Sequence, residues 1–434
     1  MSLTKNQIVI VGVAGFVVLA LILIFFGIIP GLKDEDPRAK VGGTLELWGV
    51  FDNEDAYVAA IASFNSSYPA VKVNYRRFND AAEYERSLID ALAAGKGPDI
   101  FMMRNRALPR DVNKIAPVSA AKFSILGLRN LFPQVVEQDF VSSGAIYALP
   151  VSIDTLALYY NQEHFDAAAI ASPPLTWEEF NGLISKLVKK DKDGKITRAA
   201  AAIGGSASSV EDASDILSLL MLQTGTKMVD DGFARAEFDS PEGGSALKFY
   251  VGFADPESAV YTWNDSLGES LDAFAEENAS MMFGYASDSA RLGAKNPFLN
   301  FAVSGVPQPE EAERVITYPE YWGYAVSRQS RRQSLAWEFI LNFATNKDNA
   351  KSFIEKTDRP PALRTLIDEK TNDPNLSVFA KQALTARSWL QADPDAISGA
   401  FSEMIESVVS GGETVSDALD KTEQEVTNLM ERRL

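Results

Sequence analysis

LELWGVFDNEDAYVAAIASFNSSYPAVKVNYRRFNDAAEYERSLIDALAAGKGPDIFMMRN, residues 45–105, switches repeatedly between two hydrophobic periods. Leu45 and Leu47 flank Glu46, the alternation of a strand. Asn53 then offers an N-cap to a helix whose Tyr57, Ile61 and Phe64 share one face. Val71, Val73 and Tyr75 alternate as a second strand, and Tyr84, Leu88 and Leu92 mark a second helix. After the turn Gly95-Lys96-Gly97-Pro98, the apolar run Ile100-Phe101-Met102-Met103 reads as a buried third strand. This β-α-β-α-β order predicts an α/β fold: a parallel sheet with helices on both faces. In such sheets a ligand sits beyond the carboxyl ends of the strands. Those ends carry Trp48 to Asp52 and Met103 to Asn105.

Upstream, the run from Ile8 to Ile29 contains no charged residue. Its 22 residues would span roughly 33 Å as a helix, enough for a bilayer core. It ends in Ile28-Ile29-Pro30-Gly31 without a small-x-small cleavage site, so it reads as an uncleaved anchor over a cleaved signal peptide. Lys5 favours a cytoplasmic amino-terminal side, with Lys33 weakening the contrast. Residues 1–30 are therefore expected to be a cytoplasmic end and transmembrane anchor, and 31–42 a tether. Downstream, Thr176 followed by Glu179 forms a capping box opening a helix. Asp191-x-Asp193-Gly194 lacks the spacing of a calcium loop and reads as a hairpin turn. Ala336, Phe339, Ile340 and Phe343, and later Ile397, Phe401, Met404 and Ile405, recur at helical spacing.

Composition removes several functions. The net charge of −18 argues against a polyanion partner such as nucleic acid, since phosphate binding depends on clustered Lys and Arg. With no cysteine and one histidine, His164, thiol and Ser-His-Asp mechanisms and most zinc sites are excluded. No metal, cofactor or catalytic residue is expected.

Five stretches together resemble the large family of extracellular solute-binding proteins typified by maltose-binding protein. They are LELWGVFD (45–52), AAGKGPDIFMM (93–103), ALPVSIDTLALYYNQEHFDAAAIASPPLTWEEF (148–180), AFAEENASMMFGY (273–285), and YWGYAVSRQSRRQSLAWEFILNFAT (321–345) with SGGETVSDALDKTEQEV (410–426). The third is the most specific. The resemblance implies a two-lobed, type II periplasmic-binding-protein fold with three hinge crossings, preceded here by the transmembrane helix. The crossings are expected near Leu149 to Ser152, Phe283 to Ser287 and Tyr321 to Tyr324. They divide the chain into a first lobe of 43–149 plus 287–322 and a second of 150–286 plus 323–434.

The same resemblance implies capture of a small solute, carbohydrate first, for the permease subunits of an ABC transporter. The expected ligand-binding residues are Trp48, Phe51, Asp52, Arg104, Asn105, Asp154, Tyr285, Tyr321, Trp322 and Trp389. Core packing is the alternative for Trp48 and Trp389, helix capping for Asp52, and a salt bridge for Arg104. Where better-known members carry an aromatic after the Gly-Pro-Asp strand, this chain has Met102-Met103-Arg104, which removes one stacking platform. Rival readings are a sensory accessory protein presenting ligand to a membrane kinase and a glycoside hydrolase drawing two carboxylates from 59 acidic residues.

Overall fold

In a computed structural model, residues 4–25, 38 and 41–432 are described. By internal packing the chain divides into two compact units, residues 1–44 with 64–72 and residues 45–63 with 73–434. The second unit carries everything that lines the cleft described below.

In the first unit, α1 (Lys5–Phe25) covers the described part of the amino-terminal apolar run, and Val9, Val11, Val13 and Phe16 are exposed on it. Its apolar part within the described residues, 8–25, would measure about 27 Å, short of the ~30 Å hydrocarbon core. Among the described residues no helix is long and apolar enough to cross a membrane. The end of the expected span, 26–29, and nearly all of the expected tether lie outside the described residues.

The strands that position the cleft are β1 (Gly42–Val50), β2 (Ala70–Phe78), β3 (Ile100–Arg104), β4 (Ala148–Pro150), β5 (Asp154–Thr155), β6 (Ala157–Asn161), β7 (Met281–Gly284), β8 (Phe301–Ser304), β9 (Pro319–Glu320) and β10 (Trp322–Val326). The first sheet has the order β2-β1-β3-β10-β4. β1 and β3 run parallel, as their sequence order required, with Leu47 opposite Ile100. The sheet is nevertheless mixed. β10, from far along the chain, enters antiparallel between β3 and β4, with Tyr324 opposite both Met102 and Leu149.

Expected helices form with small differences at their ends. Asn53 does not cap through its side chain, because Arg77 takes its amide oxygen, and the chain begins with a 3-10 turn, Glu54–Tyr57, before α2 (Val58–Ser67). Asp80 caps α3 (Ala81–Ala93), accepting the Glu83 N–H at 2.7 Å. α4 (Trp177–Leu187) is opened by Thr176, which accepts the Glu179 N–H at 3.1 Å, while the Glu179 carboxylate takes the Leu175 N–H at 2.7 Å. Such a cap contributes about 1 kcal/mol. Trp177, Phe180, Leu183, Ile184 and Leu187 form its buried face, each large side chain adding about 1.5–3 kcal/mol.

The second sheet is antiparallel, order β7-β6-β8, so Tyr159 lies opposite both Met282 and Val303. The fully buried run Ala199–Ile203 bridges to Ala279 and Met282 beside it. Rings of Trp177, Phe180, Phe249, Phe253 and Phe283 pack over this sheet with centroids 5.2–5.8 Å apart. Over the first sheet, Tyr57 gathers Tyr324, Phe343 and Phe353 at 5.5–6.3 Å.

These pairings divide the chain differently from the expected lobe boundaries. Residues 287–322 were expected with the first sheet, yet β8 pairs with β6 and Leu292 of α6 (Ala286–Lys295) is buried in the second core. Conversely β10, α7 (Gln333–Ala344) and α8 (Lys347–Thr357) belong with the first sheet: the Trp337 indole donates to the Ala116 carbonyl at 2.9 Å. The segment Phe283–Ser287 joins β7 to α6, both on the side of the second sheet, rather than crossing between sheets. The chain passes between sheets after β4, between β9 and β10, and again between Lys370 and Ser377, beyond which the Thr155 hydroxyl donates to the Phe379 carbonyl.

β10 is packed closely enough to test. A Cβ at Gly323 would lie 2.6 Å from the Phe140 ring and 2.9 Å from the Ala148 methyl. Gly323→Ala should therefore destabilise by about 1–3 kcal/mol, read as a lower urea midpoint with an unchanged slope.

Candidate functional site

Between the two sheets lies a cleft of about 610 Å³, joined along Glu211, Asp212 and Glu320 to a smaller cavity of about 180 Å³. Six of the ten expected residues border the larger space: Phe51, Asp52, Asp154, Tyr285, Tyr321 and Trp322. Arg104 borders the smaller one. Trp48, Asn105 and Trp389 border neither.

Phe51 follows β1 with a φ of +70°, the left-handed region that a bulky residue rarely occupies. This places its ring over the cleft, 41% exposed, edge-on to Trp322 at 6.5 Å. The Arg359 guanidinium lies 5.9 Å over the Phe51 ring and pairs with Asp52 Oδ1 at 2.9 Å. Asp52 is buried, and burial raises its carboxyl above the usual range against the pull of Arg359. Its Oδ2 is buried without a hydrogen-bond partner among the described residues.

Asp154, at the start of β5, accepts the Ala286 N–H on both oxygens, at 3.1 and 3.0 Å, and the Thr155 N–H at 2.8 Å. Burial outweighs these donors and pushes its carboxyl up to about 7. Tyr285 is buried on the cleft wall, its hydroxyl donating to Asp215 Oδ2 at 2.6 Å. The other Asp215 oxygen pairs with Arg106 at 2.9 Å, and Arg106 also donates to the Tyr318 hydroxyl at 2.7 Å. Arg106, with φ +64°, thus reaches from the end of the first sheet to α5 (Ala213–Gln223) beside the second. Neither Arg106 nor Asp215 was expected. Their only signals in sequence are an arginine two residues past the strand end and the acidic run Glu211-Asp-Ala-Ser-Asp215 at a helix start.

Arg104 takes the salt-bridge alternative. It pairs with Glu85 at 3.0 Å and, across the cleft, with Asp395 of α9 (Pro394–Val409) at 2.9 Å, its guanidinium 5.3 Å over the Trp322 ring.

The remaining residues are turned to other work. Trp48 packs on Phe78 at 5.4 Å with Arg76 over its ring at 4.5 Å. Asn105 is fully buried, donating to Asp139 at 3.2 Å and accepting the Tyr321 N–H at 3.3 Å. Tyr321 contributes to the wall, but its hydroxyl donates to Asp139 at 2.7 Å, away from the cleft. Trp389 stacks on Phe401 at 5.9 Å and donates to Ser218, one layer behind the smaller cavity. Among the described residues no group of three or more acidic or histidine side chains could hold a metal ion.

Two α/β halves with a polar, aromatic-edged cleft between them define a ligand-clamping protein. Residues 59–378 match the family described as bacterial extracellular solute-binding protein, and the chain belongs to that family. It is a solute-binding protein, not an enzyme, and the family places it outside the cytoplasm. The galactooligosaccharide-binding protein of Bacillus subtilis (strain 168) is 24% identical over 358 residues, covering 80% of this chain and 78% of its own. The cyclic α-maltosyl-1,6-maltose binding protein of Arthrobacter globiformis superposes with a TM-score of 0.75 at 19% identity, covering 90% of this chain and all of its own. An ABC transporter solute-binding protein of Thermotoga lettingae bound with α-D-tagatose gives 0.68 at 21% identity, covering 90% and 100%. These two-lobed sugar-binding structures share the fold.

The Asp154 environment makes a pH prediction. Its carboxyl binds a proton more tightly folded than unfolded, between the ordinary 3.8 and about 7. Folded-state stability from this group is therefore complete below pH 4 and lost as pH rises through 7. Asp154→Asn, which keeps an acceptor for the Ala286 N–H, should flatten the decline in melting temperature between pH 5 and pH 8.

Proposed function

We propose that the cleft captures a carbohydrate, a sugar or short oligosaccharide, and that the loaded protein delivers it to an ABC importer. The observation that carries this reading is the composition of the cleft wall. Phe51 and Trp322 on the first side offer apolar ring surface, while Asp52, Asp154, Glu211 and Asp288 supply hydrogen-bond acceptors. A few convergent polar groups beside aromatic surface are what a hydroxyl-rich ligand with apolar C–H faces requires. The relatives named above, which bind galactooligosaccharides, a cyclic maltosaccharide and tagatose, support the same class. Phe51, Asp52, Asp154, Tyr285 and Trp322 are the proposed contacts, with Arg104 bordering the adjoining cavity.

The two halves are the proposed lobes. Ligand contacts from both exist together only in a closed state, which bound solute would populate at the expense of open forms. An importer could then distinguish loaded from empty protein by shape. The uncharged run at 8–29 is the proposed membrane anchor. The exposed aliphatic side chains of α1 support it, since in water they would be poorly placed.

Thermal scanning of the full chain against mono- and oligosaccharides should give a concentration-dependent rise in melting temperature for one class, without turnover. Trp322→Ala should then weaken the affinity for that saccharide at least tenfold; an unchanged affinity, or product formation, would reject the reading. Cell fractionation tests the anchor: the full chain should sediment with membranes, and a chain lacking residues 1–40 should not.

A further inference from the structure

Every arginine bordering the two cavities is already paired with a carboxylate of the protein. Arg104 holds Asp395 and Glu85, Arg106 holds Asp215, Arg291 holds Glu211 and Asp288, and Arg359 holds Asp52. No lysine borders either space. Of the lining carboxylates without an arginine, Asp154 is held by backbone N–H groups and Asp358 is exposed, which leaves Asp212 and Glu320. Asp212 and Glu320 each line both cavities, at the place where they meet. Asp212 stands at the N-cap position of α5, where an aspartate ordinarily accepts a backbone N–H, yet its side chain makes no such bond. Among the described residues neither Asp212 nor Glu320 has a hydrogen-bond donor or an ion-pair partner on its side chain.

Asp52 lines the same cleft and pairs with Arg359 through Oδ1, while its buried Oδ2 has no hydrogen-bond partner among the described residues. Unpaired negative charge in a partly enclosed space is unfavourable until a proton or another cation neutralises it. Burial, reinforced by the neighbouring carboxylates Asp215 and Asp288, holds Asp212 and Glu320 above their usual range, against the pull of Arg106 and Arg104 on Glu320.

We propose that the cleft selects a solute bearing a protonated amine, seated between Asp212 and Glu320. The inference rests on the solute-binding reading and narrows it. An ammonium presents three donors and one charge, and charge-assisted bonds to carboxylates are roughly twice as strong as neutral ones. The proposed complement is an organic cation, whose N–H donors the two carboxylates can share. An amino sugar and a linear polyamine share this chemistry.

Isothermal titration of the full chain separates the sources, using fully de-N-acetylated chitosan trimer, its N-acetylated counterpart, maltotriose and spermidine. The amine-bearing trimer is expected to bind at least tenfold more tightly than either neutral saccharide. Asp212→Asn and Glu320→Gln should each lower that affinity at least tenfold, with the melting temperature of the empty protein held or raised as like-charge repulsion is relieved. Binding of spermidine alone would keep the ammonium seat and reject the carbohydrate reading. Equal or tighter binding of maltotriose or the N-acetylated trimer would overturn the amine proposal and leave the carbohydrate cleft standing. Binding of no probe, or amine affinity untouched by both substitutions, would overturn the proposal.

Discussion

The architecture depends on how residues 319–322 are held as they pass between the two sheets. Asn105 does most of this. Its N–H donates to the Tyr321 carbonyl at 2.8 Å and its side-chain oxygen accepts the Tyr321 N–H, so one residue satisfies both backbone groups of another. The Tyr321 hydroxyl then reaches the fully buried Asp139, which also accepts from Ser388 and Asn105. Buried backbone groups without partners are costly; a strand leaving a sheet at this point would expose several. The network fixes where β10 begins. It thereby fixes Trp322 at the cleft and Glu320 two residues before it.

Around that pivot, hydrogen bonds and two ion pairs join the halves. Arg104–Asp395 and Arg106–Asp215 both join the end of β3 to helices beside the second sheet. The two pairs differ in worth. Asp395 is well exposed, so its attraction to Arg104 is screened and small. Arg106 is buried, hydrogen-bonded to Asp215 and to Tyr318, and faces the Tyr285–Asp215 bond. Removing either member of that pair would leave a charge stranded, a cost of several kcal/mol in comparable sites, about 3–5. Tyr285 is consequently coupled to the opposite half through Asp215 and Arg106. A change at any of the three acts on how the halves meet as well as on the cleft wall.

Much of the fold was legible. Strands such as β3 are continuous apolar runs bounded by turns, and α4 announces itself by a capping box and a clean apolar stripe. What the sequence could not convey was pairing over long distances. β10 looks like any short strand, and nothing local says that it enters the first sheet while β8 joins the second; the expected lobe boundaries failed for this reason. The site divided along similar lines. Phe51, Asp52, Asp154, Tyr285 and Trp322 border the cleft, as strand ends and connecting segments do. Asn105 and the Tyr321 hydroxyl face each other's network instead of the cleft, a difference hidden in the sequence because polar groups at a strand end look the same in either case. Arg106, Asp212 and Asp215 were missed because acidic residues at a helix start read as caps. Only the absence of the cap bond at Asp212 distinguishes it.

That absence bears on the proposed closure of the halves. Like charges gathered where two bodies meet oppose their approach, and the interaction of two charges 4 Å apart grows from about 1 to about 4 kcal/mol as water is excluded. In the proposed closure, the arginine pairs would favour the closed form of the empty protein, while Asp212 and Glu320, when ionised, would oppose it. A solute that neutralised the second group would remove the opposition and leave the first in place. The resulting shift of population would follow from the ligand's difference in affinity for the two states and from nothing else. On this view, selectivity and closure share one electrostatic origin. A neutral ligand making the same hydrogen bonds would leave the repulsion in place and shift the equilibrium less for each contact it makes.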